Sequence, residues 1–287
     1  MQSYRDEHRM PVADKRGTDR KNQYKEIFTG TYMQSSIYQK IAVAAQNNWK
    51  QLAVLIDPDK ISPEYLEQLS YMVNLHNVDY VFVGGSLITQ DHFNHTLRII
   101  KERFFVPVVL FPGSTLQISK HADGILLLSL ISGRNPELLI GNHVTAAPFL
   151  RSSGLEIIST GYMLVESGKL TSVQYISNTM PIPHDKTDIA VCTAMAGEML
   201  GMKLIYIDAG SGAGKPVSED MARKVKQNIR LPLIIGGGIT NANIAHGLWD
   251  AGADVLVVGN ALEKEPDLIG KICHQRNMQN KSKTYTH

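Results

Sequence analysis

Tyr206-Ile-Asp-Ala-Gly-Ser-Gly212 completes the apolar run that starts at Lys203, and two stretches of the same build follow it: Leu231-Pro-Leu-Ile-Ile235 into Gly236-Gly-Gly238, and Asp254-Val-Leu-Val-Val258 into Gly259-Asn260. Each is a short β-branched run that stops at glycine. A residue without a Cβ lets the backbone turn sharply and bring N–H groups close to an anion. Three such turns after successive buried strands predict a cradle for a phosphate.

Working outward, the same alternation of apolar run and amphipathic stretch covers most of the chain. Strands are expected at 52–56, 80–83, 106–111, 124–128, 156–160, 204–207, 233–235 and 255–258. Helices are expected at 35–47, 63–76, 90–103, 136–152, 187–200, 218–228, 241–251 and 262–274. Continuous apolar strands without strict alternation mark a parallel sheet covered on both faces. Eight of them favour an α/β fold of the (β/α)8 TIM-barrel type over an open doubly wound sheet. Two irregularities are expected: a connection after strand 3 (Pro112-Gly-Ser-Thr-Leu-Gln-Ile-Ser-Lys-His-Ala-Asp123) too short for a full helix, and a hairpin around Gly168-Lys169 that extends strand 5.

Residues 33–273 then form one catalytic domain. The polar segment 1–32 lacks the apolar surface to offset its ordering entropy and is expected to be disordered, with Met33 an alternative first residue. A flexible tail is expected over 274–287 on the same grounds. A net charge of +2 on 287 residues, with no basic stripe, speaks against nucleic acid as a partner. Two widely spaced cysteines, no membrane-length apolar run and no signal-peptide pattern predict a cytoplasmic protein.

In such a barrel, side chains at the C-terminal strand ends face the active site. Asp57 ends strand 1 as a hard-cation ligand or a base. Gly84-Gly-Ser86 ends the neighbouring strand, and Asp57 with Ser86 would make a lean Mg2+ site completed by substrate oxygens. Asp59 and Lys60 read as surface turn residues. Tyr206 and Asp208, two apart on strand 6, share a face; the carboxylate would deprotonate a hydroxyl or, with the phenol, steady a developing cation. The rims of strands 7 and 8 supply a phosphate grip. Gly212-Ala-Gly-Lys215 is not a Walker loop, because Pro216 follows the lysine. His143 is expected to be solvated.

Five motifs in register, Leu55-Ile-Asp-Pro-Asp-Lys60, Val83-Gly-Gly-Ser-Leu-Ile-Thr89, Tyr206–Gly212, Ile234-Ile-Gly-Gly-Gly-Ile-Thr240 and Val257-Val-Gly-Asn-Ala-Leu-Glu263, resemble the geranylgeranylglyceryl phosphate synthases and their heptaprenylglyceryl phosphate relatives. The likeness runs from Ser36 to Ile272. It implies Mg2+-dependent transfer of a polyprenyl group, geranylgeranyl in the first instance, from its diphosphate to the 3-hydroxyl of sn-glycerol 1-phosphate, within a homo-oligomer. By position it implies Asp57 and Ser86 for the metal, Asp208 and Tyr206 for catalysis, and Tyr206, Ile207, Asp208, Ala209, Gly210, Ser211, Gly212, Gly237, Gly238, Gly259 and Asn260 for glycerol phosphate. Two departures stand out: Asp208 where the family usually has Glu, and Leu55 where some relatives have Lys. An apolar groove is expected from the strand-3 connection and the helix at 136, with Ala146, Ala147, Phe149 and Leu150 setting its depth. Trp249 and Phe93 are candidate interface residues. Rival readings are another phosphate-binding barrel, of the isomerase or synthase kind, and a non-catalytic phosphate-binding barrel.

Overall fold

Eight parallel strands close on themselves in chain order, β1 pairing with both β2 and β8. They are β1 (Gln51–Ile56), β2 (Tyr80–Val83), β3 (Val108–Leu110), β4 (Gly124–Leu130), β5 (Glu156–Leu164), β6 (Leu204–Asp208), β7 (Leu233–Gly236) and β8 (Val255–Val258). This computed structural model describes residues 36–89 and 92–284; the 1–32 extension and Met33 lie outside that range.

The strand period of two sorts the apolar side chains into two layers. On β1, Leu52, Val54 and Ile56 face the outer helices, whereas Ala53 and Leu55 point into the lumen. The lumen is filled by such residues as Phe82, Val109, Leu126, Ile158, Leu204, Ile234 and Val255, so it is a packed core rather than a pore. Helix α1 (Ile37–Gln46) plugs its lower end with Ile37 and Ile41. That helix is held by a capping box between Ser36 and Gln39, and the Glu156 carboxylate accepts the Tyr38 N–H at 2.8 Å.

The remaining helices are α2 (Pro63–Leu75), α3 (Phe93–Arg103), α4 (Asn142–Ser153), α5 (Ser172–Ser177), α6 (Thr187–Met199), α7 (Glu219–Asn228), α8 (Ala242–Asp250), α9 (Asn260–Lys264) and α10 (Leu268–Thr284). As expected, no full helix follows β3; a 3-10 turn (Thr115–Gln117) takes its place. A π-helical turn (Glu137–Gly141) leads into α4.

Three expectations need correction. The strand-5 hairpin does not form. β5 is long, nine residues, but beyond it Val165 makes a parallel bridge to Ile182. The Glu166 carboxylate then takes the Gly168 N–H at 2.6 Å, turning the chain towards α5 instead of back along β5. Over 274–284 the tail is not loose: α10 runs to Thr284, with Arg276 and Gln279 buried, and 285–287 lie outside the described residues. Gln279 donates to Asp250 at 2.6 Å, and Asn280 accepts the Lys50 N–H at 2.8 Å. Trp249 and Phe93 are buried in the outer apolar layer and are not surface positions. Among the described residues no helix is long and apolar enough to cross a membrane.

Candidate active site

A cavity of about 720 Å3 opens at the C-terminal ends of the strands. It brings together Asp57, Ser86, Tyr206, Asp208, Gly210, Ser211, Gly212, Gly237, Gly238, Gly259 and Asn260, which lie far apart in sequence. Ile207 and Ala209 are the exceptions. Both side chains are fully buried in the outer layer, because strand alternation turns them away from Tyr206 and Asp208, and the Ala209 N–H is spent on the Gly236 carbonyl at 3.1 Å.

The cradle is made of backbone laid on backbone. Gly237 and Gly238 are consecutive left-handed residues (φ +81° and +71°), a conformation that only glycine adopts freely. A Cβ on Gly237 would lie 2.7 Å from the Gly210 nitrogen and 2.8 Å from Asp208 Oδ1; one on Gly238 would lie 2.8 Å from the Pro216 nitrogen. The β6 and β7 loops are therefore in contact. Ser211 Oγ donates to Asn260 Oδ1 at 2.7 Å, tying the β6 loop to the β8 rim.

Asp208 lies beneath this cradle, 7% exposed. The Tyr162 hydroxyl donates to its Oδ2 at 2.6 Å and the Gly210 N–H to its Oδ1 at 2.8 Å. Burial raises the Asp208 carboxyl above the usual carboxylate range, while these two donors oppose the rise. Burial, together with the adjacent Asp208, pushes the Tyr162 and Tyr206 hydroxyls well above the ordinary phenol range, so both remain proton donors. The Tyr206 hydroxyl has no hydrogen-bond partner among the described residues, and the residue lines the cavity. Its ring stacks on Phe111 (5.1 Å, 27°) and meets Tyr162 edge-on (5.5 Å, 80°), giving the site an aromatic floor.

Tyr162 and Phe111 line the cavity beside Asp208 and Tyr206, and the sequence reading missed both. Tyr162 pairs in register with Tyr206 across β5 and β6, which is a signal only once that register is known. Asp59 and Lys60, read as surface turn residues, both line the mouth. Lys60 Nζ is 2.7 Å from Asp57 Oδ2, and this hydrogen bond raises the lysine's pKa. Asp59 Oδ2 accepts from both the Thr89 N–H (2.6 Å) and its hydroxyl (2.9 Å). His143 is half-buried rather than fully solvated and lines the apolar arm, its Nε2 3.3 Å from Ser129 Oγ, and burial lowers its pKa.

That arm is lined by Leu138, Ala146 and Leu150 on one side and by Pro112, Thr115 and Ile118 on the other, the two segments expected. Phe149 and Ala147 are exposed and do not take part. Leu55 packs against Gly259, its Cβ 3.4 Å from where a glycine Cβ would sit, so the β1 rim presents an apolar face there.

Among the described residues no three His, Cys, Asp or Glu side chains cluster as a metal cage. Asp57 and Ser86 offer a carboxylate and a hydroxyl on one wall, and Asp57 Oδ1 would lie 3.3 Å from a Cβ on Gly85, with no side chain between that turn and the carboxylate. Such a donor set fits Mg2+, which takes one or two protein oxygens and completes its shell with water and phosphate.

A model of the PcrB family matches residues 45–276. The chain belongs to the PcrB family. It is 53% identical over 237 residues to the geranylgeranylglyceryl phosphate synthase of Chitinophaga pinensis, covering 83% of this chain and 94% of that one. With the protein of the same name from Methanosphaera stadtmanae it shares 38% identity over 76% of this chain and 89% of that one. Among solved structures, the (S)-3-O-geranylgeranylglyceryl phosphate synthase of Thermoplasma acidophilum, in complex with sn-glycerol-1-phosphate, superposes with a TM-score of 0.80 at 30% identity, covering 85% of this chain and 99% of that one. An N-acetylmannosamine-6-phosphate 2-epimerase from Clostridium perfringens, at 11% identity and a TM-score of 0.50, shares the fold alone. The matched stretch, 45–276, contains all the residues that line the cavity, and the rival isomerase reading has a likeness of fold only.

Proposed function

We propose that this PcrB-family protein is a prenyltransferase that joins a geranylgeranyl group, from geranylgeranyl diphosphate, to the 3-hydroxyl of sn-glycerol 1-phosphate. The observation that carries the reading is the meeting, in one cavity, of a glycine cradle, a buried carboxylate and an apolar arm. The relative solved with sn-glycerol-1-phosphate bound supports the acceptor.

Gly237, Gly238, Gly259, Asn260 and the Gly210–Gly212 turn would hold the acceptor's phosphate through backbone N–H groups and the Asn260 amide. The acceptor's free hydroxyl would then lie over Asp208 and the Tyr206 hydroxyl. In the reaction the allylic C–O bond to diphosphate breaks and an ether C–O bond forms. The hydroxyl proton passes to Asp208, and diphosphate leaves with the bonding electron pair. Raised basicity from burial suits Asp208 to accept that proton, and the Tyr162 hydrogen bond keeps one of its oxygens oriented. The faces of Tyr206 and Phe111 present electron density to the positive charge that develops on the allylic carbon. Asp57 and Ser86 would hold Mg2+, which when bound offsets the charge of the diphosphate. Fixing both partners is worth up to about 7–11 kcal/mol in favourable intramolecular cases.

The test is incubation with sn-glycerol 1-phosphate, Mg2+ and prenyl diphosphates of several lengths, with the products identified by mass spectrometry. A prenylglyceryl phosphate is expected. Absence of ether product with every donor would overturn the reading.

A further inference from the structure

We infer that Gln117 is a positioning residue for the diphosphate end of the site: it fixes the Gly84-Gly85-Ser86 turn against Asp57 and so sets the affinity for magnesium diphosphate without touching it. The inference rests on the proposed prenyl transfer and adds to it a residue that no motif includes. Gln117 is the last residue of the 3-10 turn that replaces a helix after β3, and it is 1% exposed.

Its amide grips a single residue twice. Nε2 donates to the Gly85 carbonyl at 2.7 Å, and Oε1 accepts the Gly85 N–H at 3.2 Å. This copies the reciprocal exchange between hydrogen-bonded residues of an antiparallel strand pair, at a point where β2 has already ended at Val83. The Gly84 N–H is still held by the Ile56 carbonyl at 3.1 Å; at Gly85 the side chain of Gln117 takes over from the sheet.

The β3 rim presses on the same turn. A Cβ on Gly113 would lie 2.3 Å from the Gly85 carbonyl oxygen and 2.9 Å from Ser86 Cα, so the two loops are in backbone contact. The turn also faces Asp57, whose Oδ1 would lie 3.3 Å from a Cβ built on Gly85. Gln117, Gly85 and the Asp57–Ser86 pair thus form one connected stack. A buried amide with both its donor and its acceptor engaged has one favourable orientation. With a 3-10 turn in place of a helix after β3, the irregular connection delivers this amide to the rim.

The decisive experiment is isothermal titration of the full chain with inorganic diphosphate in the presence of Mg2+ and, separately, with sn-glycerol 1-phosphate. The proteins are wild type, Gln117→Leu, Gln117→Glu and the control Leu116→Ala, each checked by thermal unfolding. Leu116 is 86% exposed and does not line the cavity, so its variant should match wild type. In Gln117→Leu, affinity for magnesium diphosphate should fall roughly 10- to 100-fold, as for lost partners of metal ligands, with glycerol phosphate affinity within about twofold. Gln117→Glu keeps an acceptor for the Gly85 N–H but sets a buried oxygen against the Gly85 carbonyl, so a loss of the same selectivity is expected. Equal weakening of both ligands in a folded variant would make the role merely structural and overturn the inference, as would unchanged diphosphate binding. If the leucine variant does not fold, the same two titrations on Gln117→Glu decide. A wild type that binds neither ligand would sink the proposed function and this inference with it, a result distinct from any comparison between variants.

Discussion

Replacing Tyr162 with phenylalanine removes one oxygen atom and leaves the ring that meets Phe111 and Tyr206. That oxygen donates the 2.6 Å hydrogen bond to Asp208, one of two donors that hold down the proton affinity of a buried carboxylate. Without it, burial acts against a single remaining donor, the Gly210 N–H. The carboxyl therefore holds its proton to higher pH. A hydrogen bond to a charged group is worth about 1.5–3 kcal/mol. At one decade per about 1.4 kcal/mol, kcat/KM on the acidic limb should fall roughly 10- to 150-fold. Above the pH at which Asp208 of the variant ionises, the deficit should shrink, because the carboxylate is formed again and is a stronger base. The assay is the pH profile of kcat/KM, with a labelled prenyl donor, for both proteins. The sign in stability is linked: a carboxyl whose folded pKa is raised destabilises the fold as pH rises through the folded value, so Tyr162→Phe should lose more stability at neutral pH than in acid. A deficit independent of pH, or an acidic limb displaced downward, would refute both the assignment of Asp208 as base and the role given to Tyr162.

Three further outcomes follow from the same geometry. Asp57→Asn should abolish most turnover while leaving glycerol phosphate binding intact, since the cradle lies on other strands; near-wild-type rates over a Mg2+ titration would count against the metal assignment. Gly237→Ala forces a left-handed non-glycine residue (φ +81°) and places a methyl 2.8 Å from Asp208 Oδ1. It should cost at least about 1–3 kcal/mol in urea unfolding and raise KM for the acceptor. Arg276→Ala withdraws the guanidinium paired with Asp79 at the foot of the barrel, where Asp79 also accepts the Leu52 N–H. A loss of roughly 1–3 kcal/mol in urea unfolding, with unchanged KM values, is expected.

The barrel was legible because its strands are continuous apolar runs, those of β2, β6, β7 and β8 leading into glycine, a pattern that does not depend on long-range detail. The lining residues were legible for the same reason: strand ends in this fold converge. Ile207 and Ala209 came along with their motif, and only the pleat separates them from Tyr206 and Asp208. What escaped was set by pairing between distant segments. Tyr162 gains meaning from its register with Tyr206, and Gln117 from a contact with Gly85 thirty-two residues away. The second half of the last helix, beyond 274, escaped because its anchors are polar: Arg276, Gln279 and Asn280 bond to Asp79, Asp250 and Lys50, and no apolar periodicity advertises them. The Gly168-Lys169 turn was visible, but the Glu166 carboxylate that redirects it was not.

The backbone-on-backbone packing of the β6 and β7 loops leaves the acceptor end of the mouth no slack, since even a methyl at Gly237 or Gly238 collides with main chain. The opposite arm is walled by interchangeable aliphatic side chains on α4 and the β3 connection. On the proposed function, trading one hydrocarbon for another in that arm would change the length of lipid tail accepted, while the headgroup end would stay fixed.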